Sequence, residues 1–113
     1  MDNEQMNNEQ MAFTLILHSG NARSLAHEAL DLLKADQQSE ANDKLKEARQ
    51  ELVEAQKMHA RFLRDMACGE NIPIDLLLVH AEDHVCSSQT CLEMAEEVAF
   101  MYQKFGGQQY VAA

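Results

Sequence analysis

Residues 44–66 read Lys44-Leu45-Lys46-Glu47-Ala48-Arg49-Gln50-Glu51-Leu52-Val53-Glu54-Ala55-Gln56-Lys57-Met58-His59-Ala60-Arg61-Phe62-Leu63-Arg64-Asp65-Met66. Within this stretch Leu45, Ala48, Leu52, Ala55, His59, Phe62 and Met66 step alternately by three and four residues, the spacing that lines up one seam of an α-helix. Lys44, Lys46, Glu47, Arg49, Glu51, Glu54 and Lys57 fall on the other faces, several at i,i+3 or i,i+4, as on a solvated bundle helix. The seam therefore predicts an amphipathic helix in an all-α bundle. His59 lies in the seam and reads as a hydrogen-bonded core or interface residue rather than a ligand.

Toward the C-terminus, Cys68-Gly69-Glu70-Asn71-Ile72-Pro73 places a proline beside a glycine and an asparagine, a strong helix stop. A third helix is predicted from about Ile74 to Phe105, ending at Gly106-Gly107. At ~1.5 Å per residue it exceeds 40 Å, long for so small a domain. Toward the N-terminus, Asp36 to Ser39 break the pattern. Before them Phe13, Ile16, Leu17, Ala26, Ala29, Leu30 and Leu33 predict a first helix from Ala12 to about Ala35. Gly20 interrupts it. A helical glycine costs roughly 1 kcal/mol relative to alanine, which suggests close approach of a neighbouring helix, with a tolerated surface glycine as the alternative. Residues 1–11 read as a disordered polar tail, 12–105 as one helical domain and 106–113 as a C-terminal tail.

The composition agrees. The chain has 113 residues, 46% hydrophobic and 5% aromatic, with no Trp and one Pro. That is one domain with one core, built from residues that favour helices. A net charge of -10, from 19 acidic and 9 basic residues, disfavours nucleic acid and anionic lipid and would steer a partner carrying a basic patch. Cys68, Cys86 and Cys91 are odd in number and lack Cys-x-x-Cys spacing, so neither a disulfide framework nor a thiolate metal site is expected. No segment approaches ~18 uninterrupted apolar residues and the first ten carry no signal pattern, so a cytoplasmic protein is expected.

A second seam runs through Leu76, His80, Asp83, Ser87, Thr90, Met94, Val98, Met101 and Phe105. Its first half carries an imidazole, a carboxylate and two hydroxyls where leucines would stabilise more. His80 lies one helical turn from both Asp83 and His84, so the three can share a surface patch. Zinc hydrolysis would need Glu directly after the first His, where Ala81 stands. A structural metal could take His80, Asp83 and His84 but finds no fourth ligand on this helix. A phosphohistidine needs only a reachable imidazole fixed in tautomer and donors such as Ser87, Thr90 or a second histidine. A polar helix face with histidines at an interface is the remaining reading.

Leu76-Leu77-Leu78-Val79-His80-Ala81-Glu82-Asp83-His84 resembles the active-site helix of the lactose/cellobiose-type enzyme IIA components of the bacterial phosphoenolpyruvate-dependent sugar phosphotransferase system. Ile16-Leu17-His18-Ser19-Gly20-Asn21-Ala22-Arg23-Ser24-Leu25-Ala26 is similar to that family's first-helix segment. Two separated motifs in register extend the resemblance over about Ala12 to Phe105. It implies an antiparallel three-helix subunit assembling as a nine-helix homotrimer, which takes a phosphoryl group from HPr and passes it to a sugar-specific IIB protein or domain. It also implies that His80 is the phosphorylated residue. Asp83 would meet its symmetry mates around one divalent metal per trimer, usually taken as magnesium, with Glu82, His84 and Ser87 in supporting roles. No direct sugar binding is expected, and the membrane enters only through the IIC partner.

Glu82 departs from the family's usual Gln, and Val85-Cys86-Ser87 differs from its pattern too. An extra carboxylate disfavours a phosphohistidine dianion unless it points away, is protonated or meets a cation. Leu77, Leu78, Val85, Leu92 and Ala99 make the third helix apolar on a further side, which one three-helix layer cannot cover. Self-association supplies the missing cover. A non-catalytic, metal-stabilised helical oligomer or interaction module is the competing expectation, and a phosphorylation-dependent regulatory role is a third.

Overall fold

The structure, a computed structural model, describes residues 6–106. These form three helices, α1 (Asn8–Lys34), α2 (Gln38–Ala67) and α3 (Leu76–Phe105), and no strand occurs among the described residues. The pairs His18–Glu51 and Lys44–Glu28 run α2 antiparallel to α1, and His59–Glu82 and Arg49–Glu96 run α3 antiparallel to α2. The bundle is elongated, 63 × 27 × 20 Å.

Helix α1 begins at Asn8, four residues before the Ala12 start predicted above, so the expected tail is shorter. The cause is a reciprocal cap. The Gln10 amide donates to Asn7 Oδ1 at 2.8 Å and the Asn7 amide to Gln10 Oε1 at 3.0 Å. Burial of Met11 and Ala12 holds the added turn against the bundle. Helix α3 starts at Leu76 instead of Ile74, because Asp75 caps it by accepting from the Leu78 amide at 2.9 Å. Gly69, at φ +92°, closes the end of α2 in a conformation that a side chain would strain. Residues 1–5 of the expected N-terminal tail and 107–113 of the C-terminal one lie outside the described residues.

The α2 seam faces the core as predicted: Leu45, Ala48, Leu52, Ala55 and Phe62 are buried, His59 is half-buried, and only Met66 at the end is exposed. The predicted α3 seam does not. Met94, Val98, Met101 and Phe105 point outward, 47–59% exposed, while Ala81, Val85, Ser88, Leu92, Ala95 and Ala99 pack inward. Both stripes have helical periodicity, and the small one wins the core because alanine and serine let the helices pack closely. On α1, Phe13 and Leu17 are likewise exposed, while Leu15, Ser19 and Ala22 are buried. Exposed apolar side chains thus occur along α3 and at the start of α1.

The core divides in two. One cluster holds Leu33, Leu45, Leu52 and Leu92 with several alanines; the other holds Met11, Leu15, Phe62 and Val85. Along α1 and α3 the clusters are separated by Ser19 and Ser88, both fully buried. Ser19 Oγ donates to the Leu15 carbonyl at 2.5 Å, whereas Ser88 Oγ has no partner. Gly20 does not mark close helix approach in this chain. A Cβ built on it meets nothing within 4 Å.

Candidate functional site: the histidine face of α3

Asp75 starts α3 one turn before His80, and buried Ala81 anchors that turn to the core while His80 stays exposed. Residues 80 and 84 follow one another on the same face, and their rings meet edge to face with centroids 4.5 Å apart and planes at 78°. His84 is half-buried. One turn on, Ser87 Oγ donates to the His84 carbonyl at 3.4 Å and accepts from Arg23 Nη1 at 3.5 Å. The structure thus brings His80, His84 and Ser87 into one line, joined by Arg23 from α1. Thr90 continues it, exposed.

Glu82 does not belong to that line. Two residues along a helix rotate the side chain by about 200°, and Glu82 faces α2, where its Oε1 lies 2.6 Å from His59 Nδ1. The contact lacks directed hydrogen-bond geometry at Nδ1, so it is a close polar contact between partly exposed side chains. His59 thus lies half-buried between α2 and α3, as an interface residue, but its Nδ1 makes no hydrogen bond. Beside the pair, Phe62, Leu63, Met66, Ile74, Leu78 and Val79 line an apolar cleft of about 320 Å³.

Asp83 is exposed and makes no ion pair among the described residues. No three His, Cys, Asp or Glu side chains among those residues converge well enough to hold a metal ion. His80, Asp83 and His84 on one helix therefore do not close a structural metal site within a single chain. Asp83 is an outward-facing carboxylate, a hard oxygen donor.

Arg23 has no counterpart among the sequence-derived site candidates. It sits in the Ala22-Arg23-Ser24 run singled out by resemblance, but only the register of α1 against α3 shows that it reaches Ser87. The α1–α2 side carries a separate polar group. The Asn21 amide donates to Glu51 Oε1 at 2.9 Å and His18 Nδ1 lies 3.0 Å from the same oxygen, holding the Glu51 carboxyl below the usual carboxylate range. Lys44, 3.1 Å from Glu28, is correspondingly raised by that hydrogen bond and charge.

Comparison with known proteins identifies the family. Residues 10–103 match the family described as PTS system, Lactose/Cellobiose specific IIA subunit. The lichenan-specific phosphotransferase enzyme IIA component of Bacillus subtilis (strain 168) is 40% identical over 102 residues, 90% of this chain and 91% of that protein. The oligo-beta-mannoside-specific EIIA component of the same strain is 36% identical, over 87% of this chain and 89% of its own length. The crystal structure of the PTS cellobiose-specific enzyme IIA from Bacillus anthracis superposes with a TM-score of 0.84 at 36% identity, covering 95% of this chain and 99% of that one. The family match and these relatives, spanning nearly the whole chain, establish that it belongs to the lactose/cellobiose-specific IIA family of the sugar phosphotransferase system.

Proposed function

We propose that the chain is a phosphocarrier in which His80 accepts a phosphoryl group from phospho-HPr and passes it to a sugar-specific IIB protein or domain, so that uptake is coupled to phosphorylation of a β-linked disaccharide. The observation that carries this reading is the exposed His80 imidazole, set against His84 with ring centroids 4.5 Å apart, in a chain of the IIA family.

The chemistry asks little of the fold. A neutral ring nitrogen of His80 attacks phosphorus as the bond to the donor's atom breaks, and the reverse step delivers the group to the acceptor. Exposure lets two different partner proteins approach the same nitrogen. The His84 ring packs against the imidazole and offers a polar neighbour to the charge beside it, while Ser87 holds its place one turn further on. The net charge of -10 steers basic-patched partners to the surface, raising encounter rates.

Asp83 takes the assembly role. In a homotrimer, three copies of its carboxylate on one axis would repel one another, and a shared divalent cation, Mg2+ by its preference for hard oxygen donors, removes that repulsion when bound. The outward stripe of Met94, Val98, Met101 and Phe105 is the apolar cover such an assembly buries. Among the described residues no helix is long and apolar enough to cross a membrane. The carrier works in the cytoplasm, meeting the membrane through the IIC component, which selects the sugar. The named relatives differ in sugar, lichenan against oligo-beta-mannoside, as expected where IIA touches only proteins.

The test is localisation and chase. After incubation with phosphoenolpyruvate, enzyme I and HPr, an acid-labile phosphate should reside on the peptide containing His80 and disappear when the cognate IIB protein is added.

A further inference from the structure

Two contacts fix the register of α1 on α3: Arg23 meets Ser87 and His27 meets Cys91, each pair 64 positions apart in the chain. The two helices therefore run parallel, and the same offset sets Gly20 level with His84 and Ile16 level with His80. Gly20 leaves its level open, since a Cβ there would meet nothing within 4 Å. Arg23 stands one turn beyond this opening. Helical side chains lean toward the N-terminus of their own helix, which for Arg23 is the direction of Gly20, His84 and His80.

Arg23 is also uncommitted. Lys44, Arg49 and Lys57 each hold a carboxylate, whereas Arg23, like Lys46, Arg61 and Lys104, makes no ion pair among the described residues; Arg23 alone of these four stands on the line of His84 and Ser87, in contact with the Ser87 hydroxyl. A guanidinium kept off every carboxylate of a chain with net charge -10 is available to an anion from elsewhere.

We propose that Arg23 is the phosphoryl-binding cation of this site: when His80 carries the phosphoryl group, the Arg23 guanidinium leaves Ser87, crosses the opening at Gly20 and donates to the phosphoryl oxygens. This rests on the reading of His80 as the phosphorylated residue. Ser87 and His80 are seven residues apart, about 10 Å of helix rise; the imidazole leans the same way as the arginine, so the extended guanidinium and the phosphoryl group together must span the gap. The planar fork of arginine suits two phosphoryl oxygens at once, which lysine cannot match.

The test compares wild type, Arg23→Gln and Arg23→Lys, each brought to equilibrium with phosphoenolpyruvate, enzyme I and HPr over a series of salt concentrations. The readout is the ratio of phosphorylated to free protein by intact mass. Arg23→Gln should lower that ratio about tenfold, the size expected for losing one charge-assisted hydrogen bond, and should flatten its salt dependence, with Arg23→Lys in between. A ratio equal to that of wild type overturns the proposal, and so does a lower ratio with unaltered salt dependence, which marks a structural effect. If Arg23→Gln loses helical circular dichroism, Arg23→Lys decides by the same two readouts. Failure of the His80 reading is distinct, because wild type itself would then take up no phosphate.

Discussion

His59 on α2 and Glu82 on α3 meet with Nδ1 and Oε1 2.6 Å apart, so the carboxylate that follows His80 by two residues is held on the opposite side of the helix. The sequence raised the concern that Glu82 would repel a phosphoryl dianion at His80. The contact answers it by direction, since Glu82 faces α2 and not the line of His80 and His84.

Replacing Glu82 by Gln should therefore leave the extent of His80 phosphorylation within about twofold of wild type, since the group is remote from the imidazole. Stability should fall by less than ~1 kcal/mol, the usual worth of an ion pair between partly exposed side chains. Urea denaturation and the mass assay check both. A large loss of phosphorylation would place Glu82 beside the phosphoryl group instead.

Asp83 and the outward stripe govern assembly in this account. Val98→Asp, placing a charge on the exposed apolar line, should dissociate the assembly while leaving helical circular dichroism intact. Asp83→Leu should give an assembly indifferent to chelator, whereas wild type should weaken when divalent cations are removed. Sedimentation velocity with and without EDTA distinguishes these outcomes, and a wild type insensitive to EDTA counts against a shared metal.

The core offers a contrast of opposite signs. Leu52→Ala, at a fully buried site in the α2 seam, should cost about 3 kcal/mol. Ser88→Ala removes a fully buried hydroxyl that has no hydrogen-bond partner and should raise stability by about 1 kcal/mol. Chemical denaturation of the two variants reads both changes.

Glu51 gives the fold an acid-sensitive component. The Asn21 amide and then His18 lower its pKa from the ordinary 4.5. A carboxylate depressed in the folded state adds stability above its unfolded pKa and loses it as pH falls through the folded value. Glu51→Gln should thus be less stable than wild type by about 1 kcal/mol at pH 7, the difference starting to shrink near pH 4.5 and closing as pH falls through the lower folded value. A difference that persists in acid would assign the loss to packing.

The sequence reading succeeded where one periodicity had one outlet. The α2 seam from Leu45 to Phe62 has charged residues on its other faces, so only one side could be buried. On α3 two apolar stripes compete, and spacing ranks the larger residues first although Ala81, Ser88, Ala95 and Ala99 take the core. The start of α1 is not legible in the sequence because an Asn-x-x-Gln cap in a polar stretch resembles a tail, and only the burial of Met11 and Ala12 marks it as helix. The neighbourhood of His80 and His84 was legible from one-turn spacing. Arg23 and the His59–Glu82 pair were not, because both join different helices and depend on register.

The most direct measurement is the intact mass of wild type and His80→Ala after incubation with phosphoenolpyruvate, enzyme I and active HPr. The account predicts one acid-labile, phosphate-sized gain in wild type and none in His80→Ala. No gain in wild type, or an equal gain in the variant, would contradict it.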